Sequence, residues 1–170
     1  MTEAGLLPIE AFYSFDTSAF INGRRDIFRP PMFEPIWDAI AEMIASRHVL
    51  AVDEVRREIK RKDDEVSLWA RRKRGLFVPL EHDIQHATKA VLTACPRLMA
   101  QHGASRNSAD PFVVGLALAR GGTVVTQETA ANSEKKPRIP DACAAVGVEC
   151  MTLPEFVSSQ PWALTLGPPG

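Results

Sequence analysis

The sequence predicts an α/β domain: a five-stranded parallel sheet layered between helices. Three observations carry that expectation. Short apolar runs alternate with longer stretches whose apolar residues recur at helical spacing. Cap and turn residues punctuate the alternation, most clearly Asp110-Pro111 ahead of one helical stretch and Gly121-Gly122 behind it. The 170 residues are 45% hydrophobic and 24% charged, enough to bury an ordinary core and unlike a disordered, coiled-coil or collagen-like chain. Strands alternating with helices imply right-handed crossovers, hence parallel pairing.

Ala11-Phe12-Tyr13-Ser14-Phe15 reads as a buried first strand ending at Asp16. Pro31 and Pro35 precede a helix to about Arg47, with Ile36, Ile40, Met43 and Ile44 on one face. His48 to Val52 is the second strand, followed by a helix from Asp53 that buries Val55 and Ile59. Leu76-Phe77-Val78-Pro79 is a short third strand. A helix over Asp83 to Met99 follows, with Ile84, Ala87, Val91, Ala94 and Leu98 in register. Asp110 to Arg120 is helical, Thr123 to Thr126 the fourth strand, Asp141 to Val146 a short helix and Gly147 to Met151 the fifth strand. The domain spans 1–158, and a Pro/Gly-rich stretch, 159–170, reads as a loose tail.

Lys and Arg number 20 against 21 Asp and Glu, so the chain is not globally basic, although a local patch is open to it. Three cysteines, Cys95, Cys143 and Cys150, form no C-x-x-C pair and suit a reducing compartment. Met1 to Pro8 does not read as a secretory signal, and no apolar run reaches the roughly 18 residues that span a bilayer. A cytoplasmic protein with no membrane partner is expected.

The acids carry the functional signal. Asp16 ends strand one, Glu54 follows strand two by two residues, Asp110 opens the helix leading to strand four, and Glu128 follows that strand. Parallel sheets build their sites at the carboxyl ends of their strands. Asp110 joins the others only if its helix starts beside strand one. Carboxylates held together must protonate or take a cation, and hard oxygen donors suit Mg²⁺ or Mn²⁺. Such an ion can activate water against a phosphodiester. Each acid also has a plain structural use. Asp16 fits an Asx-turn, Asp110 an N-cap, Glu54 and Glu58 a salt-bridged helix face with Arg57 and Lys62, and Glu128 a loop.

Phe15-Asp16-Thr17-Ser18-Ala19-Phe20-Ile21 resembles the opening motif of PIN domains. Val52-Asp53-Glu54-Val55, Ala109-Asp110-Pro111 and Thr126-Gln127-Glu128 resemble the family's later motifs in order. Ile139 to Cys143 and Val148 to Cys150 are similar to a bacterial subgroup of PIN-like proteins. The resemblance runs from about Tyr13 to Val157 and implies strand order 3-2-1-4-5. It implies a Mg²⁺- or Mn²⁺-dependent endoribonuclease like the VapC toxins of type II toxin–antitoxin pairs, with RNA as substrate, a protein antitoxin and a homodimer as partners. By it the metal ligands and catalytic acids are Asp16, Glu54, Asp110 and Glu128, with Thr17, Ser18 and Thr126 in support. Glu128 stands where the family more often has Asp, so Asp141 is an alternative fourth acid. The same departure opens a second reading, a catalytically weak or inactive PIN-like scaffold that binds RNA or protein.

Arg56 to Arg74 holds nine Lys/Arg and four acids, net +5 against -6 elsewhere, a strip suited to a phosphate backbone. Arg56, Arg57 and Lys60 are candidate substrate contacts, with Lys135 and Lys136 in a second basic loop. Trp69 is either a base-stacking platform or core. His82 and His86 lie four apart, as in helical zinc sites, with Asp83 where a metalloprotease has Glu and no third ligand evident.

Overall fold

The computed structural model describes residues 11–99 and 108–168. Its centre is a five-stranded parallel sheet in the order β3-β2-β1-β4-β5, flanked by helices. β1 (Tyr13–Phe15) lies in the middle, with Tyr13 opposite Val49 of β2 (Val49–Val52) and Thr123 of β4 (Thr123–Val125). β3 (Phe77–Val78) and β5 (Cys150–Met151) form the edges. All residues of β1 and β2 are buried, which explains why both read as unbroken apolar runs rather than alternating ones.

The helices are α1 (Thr17–Asn22), α2 (Glu34–Ala45), α3 (Asp53–Lys62), α4 (Asp64–Arg71), α5 (His82–Ala94), α6 (Asp110–Arg120), α7 (Ile139–Val146) and α8 (Leu153–Ser159). A π-helical turn, Gly23–Ile27, continues α1, and a 3₁₀ turn, Pro96–Leu98, follows α5. The helix expected to reach Met99 therefore stops early. Pro96 has no N–H to continue the ladder, Ala94 is exposed, and Leu98 is buried from the 3₁₀ turn instead. The edge strands are shorter than their apolar runs. α1 and α8 are short helices beyond the elements expected from the sequence; the latter is capped by Thr152, whose hydroxyl accepts from Glu155 N–H at 3.3 Å. Beyond Ser159 the chain has no regular structure to residue 168, but Trp162 packs its ring edge on Phe156 at 5.9 Å, so the tail is anchored near its start.

Helix α6 sets the geometry of the site. It lies against β1, β2 and β4, and the buried Ser14 hydroxyl donates to Val113 O at 2.8 Å, stitching the helix to the central strand. α5 packs across α6, while α2 and α3 pack on β2. The core includes Phe15, Phe20, Trp37 and Phe156, all without solvent exposure, each side chain contributing roughly 1.5–3 kcal/mol by leaving water. Trp69 belongs to this core. It is 9% exposed and meets Trp37 edge-on at 5.3 Å, so it is no stacking platform for a base. Among the described residues no helix is long and apolar enough to cross a membrane.

At Gly115, α6 packs tightly against Thr88 of α5. A methyl there would run into the Thr88 hydroxyl and stand 3.1 Å from Thr88 Cα. Ala is the better helix former by roughly 0.5–1 kcal/mol, but overpacking costs about 1–3 kcal/mol, and packing wins because backbone lies behind the clash. Gly115→Ala is expected to lower stability by about 1–2 kcal/mol in urea unfolding, and Gly115→Val by more.

Candidate active site

Asp16 sits immediately after β1, where its N–H still donates to Val125 O at 2.9 Å. Its side chain turns back over α1. Oδ2 accepts from Ser18 Oγ at 2.7 Å, from Thr126 Oγ1 at 2.9 Å and from Ser18 N–H at 3.3 Å. The Asx-turn reading and the site reading thus describe the same carboxylate. Asp16 is 3% exposed. Burial raises its pKa against the pull of the Ser18 and Thr126 hydroxyls, and the charge of Glu58 adds to the rise.

The condition set for Asp110 is met, since the Ser14–Val113 bond brings the start of α6 beside β1. Asp110 is not the N-cap: Ala109 is, and Asp110 is the first helical residue. Its carboxyl is pushed up to about 8, first by burial, then by the charges of Asp16, Glu128 and Glu58, with the Ser108 hydroxyl pulling the other way.

A small cavity of about 170 Å³ opens at this rim, and four acids line it: Asp16, Glu58, Asp110 and Glu128. Glu58, not Glu54, is the acid contributed by α3. Its Oε2 accepts from Thr17 Oγ1 at 2.6 Å and its Oε1 from Ala109 N–H at 2.9 Å, so one carboxylate ties α3 to α1 and to the start of α6. Glu54 lies one turn earlier on the same face. It takes Arg57 at 3.1 Å, and its Oε2 is buried without a hydrogen-bond partner among the described residues. The sequence signal for Glu58 was present as the i+4 partner of Glu54. What it lacked was the position of α1, whose Thr17 meets α3 at Glu58.

Glu128 reaches the cavity from the loop after β4, where its N–H donates to Thr126 Oγ1 at 3.1 Å and its Oε2 accepts from Ile139 N–H at 3.1 Å. Asp141 is engaged elsewhere. It accepts from the N–H groups of Ala131, Asn132 and Arg138 at 2.8, 3.0 and 2.8 Å. Burial would raise its pKa, but these three donors outweigh it and hold the carboxyl below the ordinary value. It braces the loop and does not line the cavity.

The three supporting residues divide their work: Ser18 and Thr126 hold Asp16, and Thr17 holds Glu58. Ser18 Oγ also accepts from Gln127 N–H at 2.9 Å. Of the basic candidates, Arg56 pairs with Asp53 at 3.3 Å and Arg57 with Glu54 at 3.1 Å, while Lys60 is exposed. Lys136 is exposed too. Lys135 lines a different, larger groove of about 600 Å³ between the end of α5 and the loop before α7. That groove is bigger but carries less chemistry, because the aspartate in its wall is the satisfied Asp141.

Among the described residues, no three or more His, Cys, Asp or Glu side chains are arranged to hold a metal ion in the geometry the chain adopts. His82 and His86 are both exposed at the start of α5, and Asp83 faces Arg120 at 3.6 Å. The cavity acids nevertheless offer the donor chemistry a hard cation takes, carboxylate oxygens, and burial beside like charges disfavours the ionised forms of Asp16 and Asp110 unless positive charge is supplied.

Comparison with curated proteins gives no match. A family model described as Domain of unknown function (DUF4411) matches residues 13–164, and the chain belongs to that family.

Proposed function

We propose that this chain is a metal-dependent endoribonuclease that hydrolyses RNA phosphodiester bonds, and that it is the cytoplasmic toxin of a type II toxin–antitoxin pair. One observation carries the nuclease reading: four carboxylates from four separate segments, Asp16, Glu58, Asp110 and Glu128, line one small cavity at the carboxyl end of a parallel sheet. RNA as substrate, a protein antitoxin and a homodimer rest on the resemblance to PIN domains, together with the basic strip of α3 and α4.

Asp16, Glu58, Asp110 and Glu128 would hold Mg²⁺ or Mn²⁺. Such an ion supplies a more acidic water and offsets the charge of a phosphate. The protein's own part is positioning. Ser18 and Thr126 orient the Asp16 carboxylate, and Thr17 with the Ala109 N–H orients Glu58. The Ser18 and Thr126 hydrogen bonds favour the ionised form of Asp16, the form a cation needs. The alternative, an RNA- or protein-binding scaffold that does not cut, is favoured by Glu128, one of whose carboxylate oxygens, Oε2, is already engaged by the Ile139 N–H.

Purified protein is expected to cleave RNA with Mn²⁺ or Mg²⁺ and to stop in EDTA. Asp16→Asn should lose at least about 100-fold in rate, the scale of removing a group that binds the reacting centre. Glu58→Gln should lose at least about tenfold and Glu54→Gln less than about threefold; equal losses at 54 and 58 would return Glu54 to the site. Expressed in a bacterium, the wild-type chain should arrest growth and Asp16→Asn should not.

Asp110 generates a pH dependence. The unfolded chain releases this proton near the ordinary 3.8, whereas the folded chain keeps it to about 8. Across that window the unfolded state binds fewer protons, so this group makes stability fall as pH rises. Urea unfolding in EDTA should show Asp110→Asn gaining stability relative to wild type from pH 5 to pH 8, and Mg²⁺ should stabilise wild type more at pH 8 than at pH 5. A relative gain in the opposite direction would contradict the raised pKa.

A further inference from the structure

Four acids around one cavity repel the anion they are proposed to act on, so positive charge from the protein at the same rim would help an ion there to seat a substrate phosphate. Among the described residues lining the cavity, Lys62 is the one cation. It stands one helical turn after Glu58, with Nζ 4.0 Å from Glu58 Oε2 and a side chain 60% exposed. Across from it, Asn22 lines the cavity at the end of α1. Three residues on, in the π-helical turn, Arg25 is 56% exposed, with Nε 3.8 Å from Asp63 Oδ2. Both are ion pairs longer than a hydrogen bond, made by cations that are more than half exposed, so each cation is only loosely held by its neighbour.

The π turn is held in place from inside. Arg24 is 6% exposed, with its guanidinium 5.2 Å from the Trp37 ring centre and 4.8 Å from that of Trp69, and it donates to Glu65 Oε1 at 3.0 Å. A Cβ on the preceding Gly23 would stand 2.6 Å from Leu153 and 2.8 Å from Trp37, so the turn sits against the core with no room for a side chain there. Neighbouring residues on a helical turn leave its axis in different directions. Burying Arg24 therefore sends Arg25 outward, toward the end of α3 that carries Lys62. π turns recur at functional sites because they redirect side chains in this way.

We propose that Lys62, with Arg25 beside it, forms a phosphate-binding lip that seats single-stranded RNA over the acidic cavity. This rests on the nuclease reading. The competing role, in which Lys62 only neutralises Glu58, predicts a change in stability but none in the salt dependence of RNA binding.

The test is fluorescence anisotropy of a labelled single-stranded RNA across a salt series in EDTA, with cleavage kinetics in Mn²⁺ run alongside. Lys62→Gln should weaken binding about tenfold and reduce the slope of log K against log salt by about 0.7, one single-strand phosphate contact. Arg25→Gln should have a smaller effect of the same kind, and Lys62→Arg should restore binding. Lys89→Gln makes the same charge change on α5, away from the cavity, and should alter neither quantity. Wild-type affinity and slope in Lys62→Gln would overturn the lip. RNA cleavage by wild type together with an unchanged KM in Lys62→Gln would overturn the lip and leave the nuclease standing. Salt-dependent binding lost in Lys62→Gln, with no cleavage by wild type in either metal, would support the lip and remove the nuclease.

Discussion

Removing a carboxylate from water costs several kcal/mol unless hydrogen bonds or a cation replace the lost hydration. The rim of this sheet is organised around that cost at Asp16. Its replacement hydration comes from the hydroxyls of Ser18 and Thr126, and those hydroxyls do further work. Ser18 accepts from Gln127 N–H and Thr126 from Glu128 N–H. The loop that delivers Glu128 is therefore held by the same two oxygens that hold Asp16. Glu58 plays the matching part on the other wall, joining Thr17 of α1 to the Ala109 N–H that opens α6. Two small networks thus place four acids, and each acid's position depends on a partner from a distant part of the chain.

Environment, not residue type, separates the acids used for structure from those gathered at the cavity. Asp141 and Asp110 both lie in the first turn of a helix containing a proline near its start. Asp141 meets three backbone N–H groups and its carboxyl is held down, whereas Asp110 is buried beside three other acids and its carboxyl is pushed up. A fold gains nothing in stability from the second arrangement. Groups held in a state that costs stability mark a working site more often than a scaffold.

The positive charge is distributed to the same end. The chain is nearly neutral, yet the strip from Arg56 to Arg74 is strongly basic. Its members differ in availability. Arg56 and Arg57 face acids of their own helix at hydrogen-bonding range, while Lys62 stands farther from its neighbour, at the mouth of the cavity. Arg24, equally cationic, is consumed by the core between Trp37 and Trp69. Counting charges along the chain could not have ranked these residues; only their neighbours do.

The sequence by itself determined the parallel α/β architecture, because apolar runs buried on both faces and helical periodicity between them are local properties, readable in Tyr13 to Phe15, in Val49 to Val52 and in the capped stretch from Asp110 to Gly121. It also pointed to Asp16, Asp110 and Glu128, since a strand end announces itself and the strands run the same way. It could not choose between Glu54 and Glu58, which share a helix face, or predict that Trp69 packs on Trp37. Those outcomes were decided by tertiary structure: Thr17 of α1 meets α3 at Glu58, and which side chain fills a given space depends on the residues brought opposite it by the crossovers, not on its neighbours in the chain.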